Sequence, residues 1–369
     1  MIKVLHCADL HLDSPFSGLD PIQSEARREE QRELLRTLIC YIRNQRIDLV
    51  LIAGDLFDNG FTNSKTVKYA ADLLGNLPCP VVISPGNHDP YIQGGIYSSG
   101  FSKNVHIFNS QKLSSVDFPD LGVAVWGYAF TSASYEEHPL ATQYSVDESR
   151  INLLCAHADT VQSLSKYAPI SPRELDDSPF DYAALGHIHN APEVGNYNGT
   201  IAAYCGCAEG RSFDELDFGG AILLEIEGKK ITHKKIQLAK RRYMIEALDI
   251  TGVENDDEVI ERIRQRAALK NYKDDTSLRV ILEGSVSSEY APNAQRIKDS
   301  IEGLYSLDIK DETIPTLDEE LLAQDVSVRG EFYRTLIKTI REGSEEERKA
   351  AVLALRLGLS ALDDRPIIL

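Results

Sequence analysis

The sequence predicts an α/β fold: a layered α/β domain, then a smaller α/β module, then a helical C-terminus. Three observations predict it. Short runs rich in Val, Ile and Leu, each ending in polar residues, recur through the first half of the chain and read as buried strands. Amphipathic stretches at helical spacing separate the earliest of them, as a sheet layered with helices requires. Past a basic cluster at Lys234, Lys235, Lys240, Arg241 and Arg242 the alternation resumes on a smaller scale and then gives way to helical patterning alone.

The strand candidates are residues 2–7, 48–53, 81–83, 122–127, 151–156 and 181–185. Between the first two, residues 24–45 place Leu34, Leu35, Leu38, Ile39 and Ile42 on one helical stripe, and residues 63–74 read as a second helix. Strands at 201–204, 221–227 and 231–237 follow without helices between them, so the later part of this domain is β-rich and the class shades into α+β. The domain is assigned to residues 1–240. Residues 241–315 form the second module, with strands at 243–250, 277–283 and 305–309 and helices at 254–269 and 293–301. The acidic start of 254–269 suits a helix N-terminus. Residues 316–369 are a helical C-terminal region from Leu317 onward. There Phe332, Tyr333, Leu336, Ile337 and Ile340 line one face, Gly343 stops the helix, and Ser344 with Glu347 opens the next as a capping box.

A length of 369 residues suits two or three domains at roughly 150 residues each. With 43% hydrophobic and 26% charged residues, the composition excludes a disordered chain. The apolar start, residues 2–5, is too short for a signal peptide, and no run reaches the ~18 residues of a membrane span. Six cysteines lie mostly in apolar runs without a CxxC pair, which suits reduced core thiols in the cytoplasm. Cys205 and Cys207 are close enough for a redox or metal role. The net charge of −18 argues against a polyanion held by the chain's overall field.

Polar residues cluster just past the carboxyl ends of the predicted strands, where open α/β sheets place their ligand sites. In order they are Asp9-x-His11, Gly54-Asp55-x-x-Asp58, Gly86-Asn87-His88-Asp89, His157 and Gly186-His187-x-His189. Each has a bland reading: a turn, a chance pair, or a core histidine in the case of His157. Gly and Asn suit a tight turn after a strand, but nothing structural asks His and Asp to follow them. Five of the nine histidines fall in these five loops. Asp, Asn and His converging from several loops is the donor mixture that a pair of divalent metals takes.

The ordered set resembles the calcineurin-like metallophosphoesterase superfamily. Within it, the string from His6 to Asp13 with Gly54 to Asp58 is most similar to SbcD-type DNA repair exonucleases, the nuclease subunits of SbcCD-like complexes. The motifs cover roughly residues 1–210, and the later parts resemble that family in layout only. The resemblance implies a four-layer α/β/β/α sandwich with a capping domain and C-terminal helices. It also implies two divalent ions, Mn2+ by preference. Asp9, His11 and His189 would hold the first, Asp55 would bridge, and Asn87, His157 and His187 would hold the second. His88 would protonate the departing oxygen or stabilise charge on phosphorus, with Asp58 fixing its tautomer. Asp89 reads as a loop or helix cap, its alternative being a catalytic role. Arg211 is a candidate for a substrate phosphate, its alternative being an ion pair with Asp214 or Glu215.

Departures from neighbouring families narrow the substrate. Protein phosphatases of the superfamily place an Arg after the second Asp, where this chain has Asn59-Gly60, and purple acid phosphatases place a Tyr ligand where it has Phe57. The expectation is therefore a Mn-dependent DNA exo- or endonuclease, a homodimer working with an SbcC-like coiled-coil ATPase and bound to no membrane. A phosphodiesterase for a cyclic nucleotide or another small diester is the first alternative. An architectural subunit with a vestigial site is the second.

Overall fold

Alternating side chains sort the first strands onto two faces. In β1 (Ile2–Cys7) Leu5 and Cys7 join one core and Val4 another; in β2 (Leu49–Ile52) Val50 and Ile52 join the first and Leu49 and Leu51 the second. A period of two in strands buried on both faces produces this division. The computed structural model describes all residues except 18, 59, 99, 163, 191, 193, 288, 289, 317–321, 323 and 363–369. These described residues form two compact units, Met1–Arg242 and Tyr243–Leu369.

The first unit continues with β3 (Val81–Ile83), β4 (Val105–Ile107), β5 (Ser114–Phe118), β6 (Val123–Gly127), β7 (Ile151–His157), β8 (Tyr182–Gly186), β9 (Gly195–Tyr197), β10 (Thr200–Tyr204), β11 (Asp217–Glu227) and the part of β12 (Lys230–Asp249) up to Arg242, its last residues belonging to the second unit. One sheet of this unit has the order β12-β11-β1-β2-β3-β4, parallel from β1 to β4 with β11 antiparallel to β1. The other has the order β5-β6-β7-β8-β10-β9, parallel from β6 through β10. Val4, Leu49, Leu51 and Val82 of one sheet and Val123, Val125, Leu153 and Ala184 of the other share the core between them.

The outer face of the first sheet is covered by α1 (Pro21–Gln45) and α2 (Ser64–Gly75). Asp20 caps α1 by accepting from the Ile22 and Gln23 amides at 2.8 and 2.9 Å, and the stripe from Leu34 to Ile42 packs on Leu5, Val50 and Ile52. The outer face of the second sheet is covered by α3 (Pro172–Asp176) and by loops carrying Tyr128, Phe130 and Tyr135. The expected four layers are present, the fourth built mostly from loops.

Two details differ from the sequence expectation. Strands 231–237 and 243–250 are one strand, β12, which runs without a break through the basic cluster. Arg241 lies on it with its guanidinium on Glu30, while Glu209 accepts from the Lys240 amide at 2.8 Å. The strands β4, β5 and β9 and the helix α3 are additional; at three to five residues each they are too short for a period to mark them.

In the second unit α4 (Asp256–Leu269), β13 (Thr276–Glu283), β14 (Ser285–Val286), α5 (Ala294–Asp299), β15 (Ser306–Asp311) and β16 (Ile314–Pro315) surround a core of Ile250, Val259, Ile263, Val280, Ile297 and Ile309. The beginning of the expected helical region, at Leu317, lies outside the described residues. Past it come α6 (Val328–Glu342) and α7 (Glu345–Leu362). The face of Phe332, Tyr333, Leu336, Ile337 and Ile340 packs with Leu355 and Leu359 of α7, so this stripe serves a helical hairpin. Ser344 and Glu347 form the expected capping box.

Candidate metal centre

The loops past the carboxyl ends of β1 and β2 are held together by backbone bonds. The amides of Asp9, His11 and Leu12 donate to the carbonyls of Gly54, Asp55 and Leu56 at 2.9 to 3.1 Å. This pairing places Asp9, His11, Asp13 and Asp55 at φ of 52°, 44°, 66° and 51°. Left-handed backbone at non-glycine residues carries strain on the order of 1 kcal/mol or more each and persists where the surroundings over-determine it. Gly54, at φ 92°, lies so close to the His157 ring that a Cβ would sit 2.3 Å from Nδ1. Asp89 fastens the third loop to the second. Fully buried, it accepts from the amides of Gly86, Asp55 and Phe57 at 2.7, 3.2 and 3.1 Å and from the Tyr97 hydroxyl at 2.5 Å. It is thus a loop cap; burial, with the Asp55 charge nearby, pushes its carboxyl up to about 7.

Proton bookkeeping tests whether metals fit. His157 Nδ1 is 3.0 Å from the Ala53 carbonyl, which can only accept, so Nδ1 carries the proton and Nε2 is left with a lone pair. That nitrogen faces two more acceptors, Asn87 Oδ1 at 2.9 Å and Asp55 Oδ2 at 3.3 Å. His189 repeats the pattern: Nδ1 donates to Glu215 Oε1 at 2.7 Å, and Nε2 lies 3.2 Å from His11 Nε2 and 3.6 Å from Asp9 Oδ1. Buried acceptors converging without donors are costly unless a cation lies among them. The nitrogen and oxygen donors suit a borderline divalent ion.

Ligand atoms within 4.8 Å of one another define three groups among the described residues: Asp9, His11 and His189; Asp9, Asp55 and His157; and His11, Asp58 and His88. The first is the expected first-metal set. The second holds the expected bridge, Asp55, with Asn87 alongside. His187 stands outside these groups; its amide donates to Asp9 Oδ2 at 3.1 Å and its ring packs edge-on to His157 with centroids 5.1 Å apart. Charge follows the same geometry. Burial pushes Asp9 up to about 6 and His187 down to about 4. Burial also opposes charge on His157, but Asp55 overrides it and holds that imidazole at about 9, so without metal a proton stands in for the cation.

His88 sits beside this set with its side chain 44% exposed. Its amide donates to Asp55 Oδ1 at 2.9 Å, and its Nδ1 lies 3.3 Å from Asp58 Oδ1, the contact that raises its pKa. Asn59, the residue after Asp58, lies outside the described residues. Arg211 reaches the site but is engaged by Glu215, with Nη2 to Oε1 at 2.5 Å and Nε to Oε2 at 3.2 Å. The ion-pair alternative therefore describes its contacts. Cys205 and Cys207 are buried, their thiols pushed up by burial, and neither belongs to a metal group among the described residues. Two residues enter the site without a sequence expectation of their own. Glu215 is expected only as a partner for Arg211, yet it orients His189. Ser14, in the first loop, bonds Asp58.

A lone-pair donor set at the ends of parallel strands, with an imidazole poised beside it, defines a metal-dependent phosphoesterase. Residues 2–191 match the calcineurin-like phosphoesterase model, and the chain belongs to that family. The uncharacterized metallophosphoesterase YhaO of Bacillus subtilis is 26% identical over 297 residues, covering 77% of this chain and 72% of its own. The SbcD component of the nuclease SbcCD from Staphylococcus epidermidis is 23% identical over 299 residues, covering 71% and 75%. DNA double-strand break repair protein Mre11 of Aeropyrum pernix is 31% identical over 268 residues, covering 67% and 63%.

Proposed function

We propose that the chain is a manganese-dependent DNA nuclease that hydrolyses phosphodiester bonds with two divalent ions. Asp9, His11, His189 and Asp55 would hold one ion, and Asp55, Asn87, His157 and His187 the other. The ions would supply charge to neutralise phosphate oxygens and to acidify water near neutral pH. The protein's own residues do the rest. Glu215 and the Ala53 carbonyl fix the tautomers of His189 and His157. Asp58 holds His88 Nδ1–H, leaving Nε2–H to protonate the departing oxygen.

The observation that carries this reading is His88 held by Asp58 at the edge of the donor set. Alkoxide is a poor leaving group, and a nucleotide diester needs the proton that this imidazole can deliver. Arg211, being neutralised by Glu215, offers little extra charge to the second ionised oxygen of a monoester. The relatives named for nuclease and DNA-break repair favour DNA over a small diester. In this reading the chain works in the cytoplasm in DNA repair, as a homodimer beside an SbcC-like coiled-coil ATPase. With the Phe332 stripe occupied by α7, the exposed Val328, Leu353 and Leu362 are apolar residues that these helices offer a partner.

The test offers the purified protein with manganese to single- and double-stranded DNA ends, a cyclic nucleotide and an aryl diester, alongside His88→Ala. DNA cleavage falling at least ~100-fold in the variant is expected. Turnover of the cyclic nucleotide with DNA left intact would overturn the nuclease reading, and equal activity of the two proteins on DNA would overturn the assignment of His88.

A further inference from the structure

Asp58 is approached from two sides. His88 Nδ1 meets Oδ1 at 3.3 Å, and the Ser14 hydroxyl donates to Oδ2 at 3.0 Å. The Ser14 oxygen in turn accepts from Arg211 Nη1 at 3.2 Å. Arg211 is anchored on Glu215, the same carboxylate that orients His189. A continuous chain of polar contacts therefore runs from a metal-facing histidine through Glu215, Arg211, Ser14 and Asp58 to His88. Ser14 is only 2% exposed, and its amide is tied to the His11 carbonyl at 3.1 Å, so its hydroxyl is placed by the strained first loop.

The arrangement has an evident competitor. Arg211 Nη1 lies 4.0 Å from Asp58 Oδ2, the edge of direct ion pairing. A guanidinium is a stronger partner for a carboxylate than a hydroxyl is. Without the Ser14 hydroxyl between them, Arg211 would close on Asp58 and rotate the carboxylate away from His88.

We propose that Ser14 is a positioning residue for the general acid: its hydroxyl fixes the Asp58 carboxylate toward His88 and keeps Arg211 from capturing it. The proposal rests on the reading of His88 as proton donor to the leaving oxygen. It assigns Arg211 to the support of the site and away from the substrate phosphate. It also predicts a dependence on leaving group. A nitrophenolate departs without a proton, whereas an alkoxide does not, so a misplaced His88 slows alkyl diesters selectively.

The test compares wild type, Ser14→Ala and Ser14→Thr at saturating manganese. Two substrates are used: bis-p-nitrophenyl phosphate, and whichever alkyl diester, DNA or a cyclic nucleotide, the wild type hydrolyses. Ser14→Ala is expected to lower kcat on the alkyl diester about tenfold, at the lower end of what supporting hydrogen bonds contribute, while the aryl diester changes less than about twofold. Ser14→Thr, which keeps the hydroxyl, is expected to recover most of the alkyl rate. Because the readout is a ratio within one preparation, partial misfolding does not imitate it. A parallel fall on both substrates, or no fall on the alkyl diester, overturns the proposal. A wild type that spares DNA but cleaves the cyclic nucleotide overturns the nuclease reading and leaves this test in force.

Discussion

Two carboxylates near the metal centre, Asp55 and Asp89, lie within one knot of hydrogen bonds and have opposite charge tendencies. Burial opposes ionisation of both, but the histidines around Asp55 hold it ionised, whereas Asp89 is pushed up to about 7. Asp55 faces the ion site and Asp89 ties the loops behind it, a division visible only once their neighbours are known. The same logic applies to Glu215, whose bond to His189 sets which nitrogen is free for metal. Glu215→Gln is expected to raise the manganese concentration needed for half-maximal activity about tenfold, measured by metal titration; an unchanged requirement would remove Glu215 from the site. His88 yields a pH prediction. Its Asp58 bond raises its pKa, and an acid works only while protonated, so activity declines as pH rises through that value. Asp58→Asn removes the raising contact and is expected to move the alkaline decline of kcat to lower pH, read from a pH–rate profile.

The elements act by bringing five loops to one edge, and close backbone approaches hold those loops in register. At Gly186, which ends β8, a Cβ would stand 1.9 Å from the Ala53 carbonyl oxygen, a backbone atom that cannot turn aside. Gly186→Ala is expected to destabilise the protein by about 2 kcal/mol or more, measured by urea unfolding, and to lower metal affinity with it; wild-type stability would contradict the packing described. Much of this scaffold was legible because buried parallel strands are continuous apolar runs: β1 and β3 fall where composition alone puts them. The candidate ligands were legible because Asp and His recur at strand ends without a structural need. What was not legible depends on distant partners. β12 looked broken because the pattern changes at the basic cluster of Lys234, Lys235, Lys240, Arg241 and Arg242, yet Glu30 holds the Arg241 guanidinium and Glu209 the Lys240 amide along a continuous strand. Ser14 sits among apolar and loop residues, and no local pattern marks a serine whose partners lie 44 and 197 positions away.

Across the whole molecule the charge of −18 acts unevenly. Some acidic groups are paired inside the fold and add nothing to that total, as in the neutral network of Arg27, Glu30, Glu209 and Arg241, where Arg27 is 1% exposed. Burial would raise the Glu30 carboxyl, but hydrogen bonds from Arg241 and Arg27 outweigh it and hold the group at about 2, against an ordinary 4.5. A folded-state pKa below the unfolded one contributes stability that is present above pH 4.5 and is lost as pH falls toward 2. Unfolding measured at pH 5.5 and pH 3 is expected to show a smaller loss of stability on acidification in Glu30→Gln than in wild type; an identical loss would remove this network from the acid response. The unpaired acidic excess repels a polyanion, so the DNA contact proposed above would have to be concentrated where divalent ions reverse the sign. Fluorescence anisotropy with the His88→Ala protein, expected to cut at least ~100-fold more slowly, separates this local attraction from a basic track elsewhere. With manganese a dissociation constant on the order of 10⁻⁴ to 10⁻⁶ M is expected, the range of binding through phosphate contacts alone, and chelation is expected to weaken it at least about tenfold. Nanomolar binding that survives the chelator would show that this chain's own surface grips DNA, against the repulsion of its net charge. Metal-dependent, weak binding would support the proposal that a partner supplies the remaining affinity, because a nuclease that hydrolyses a DNA end with two ions needs the strand held while each bond is presented.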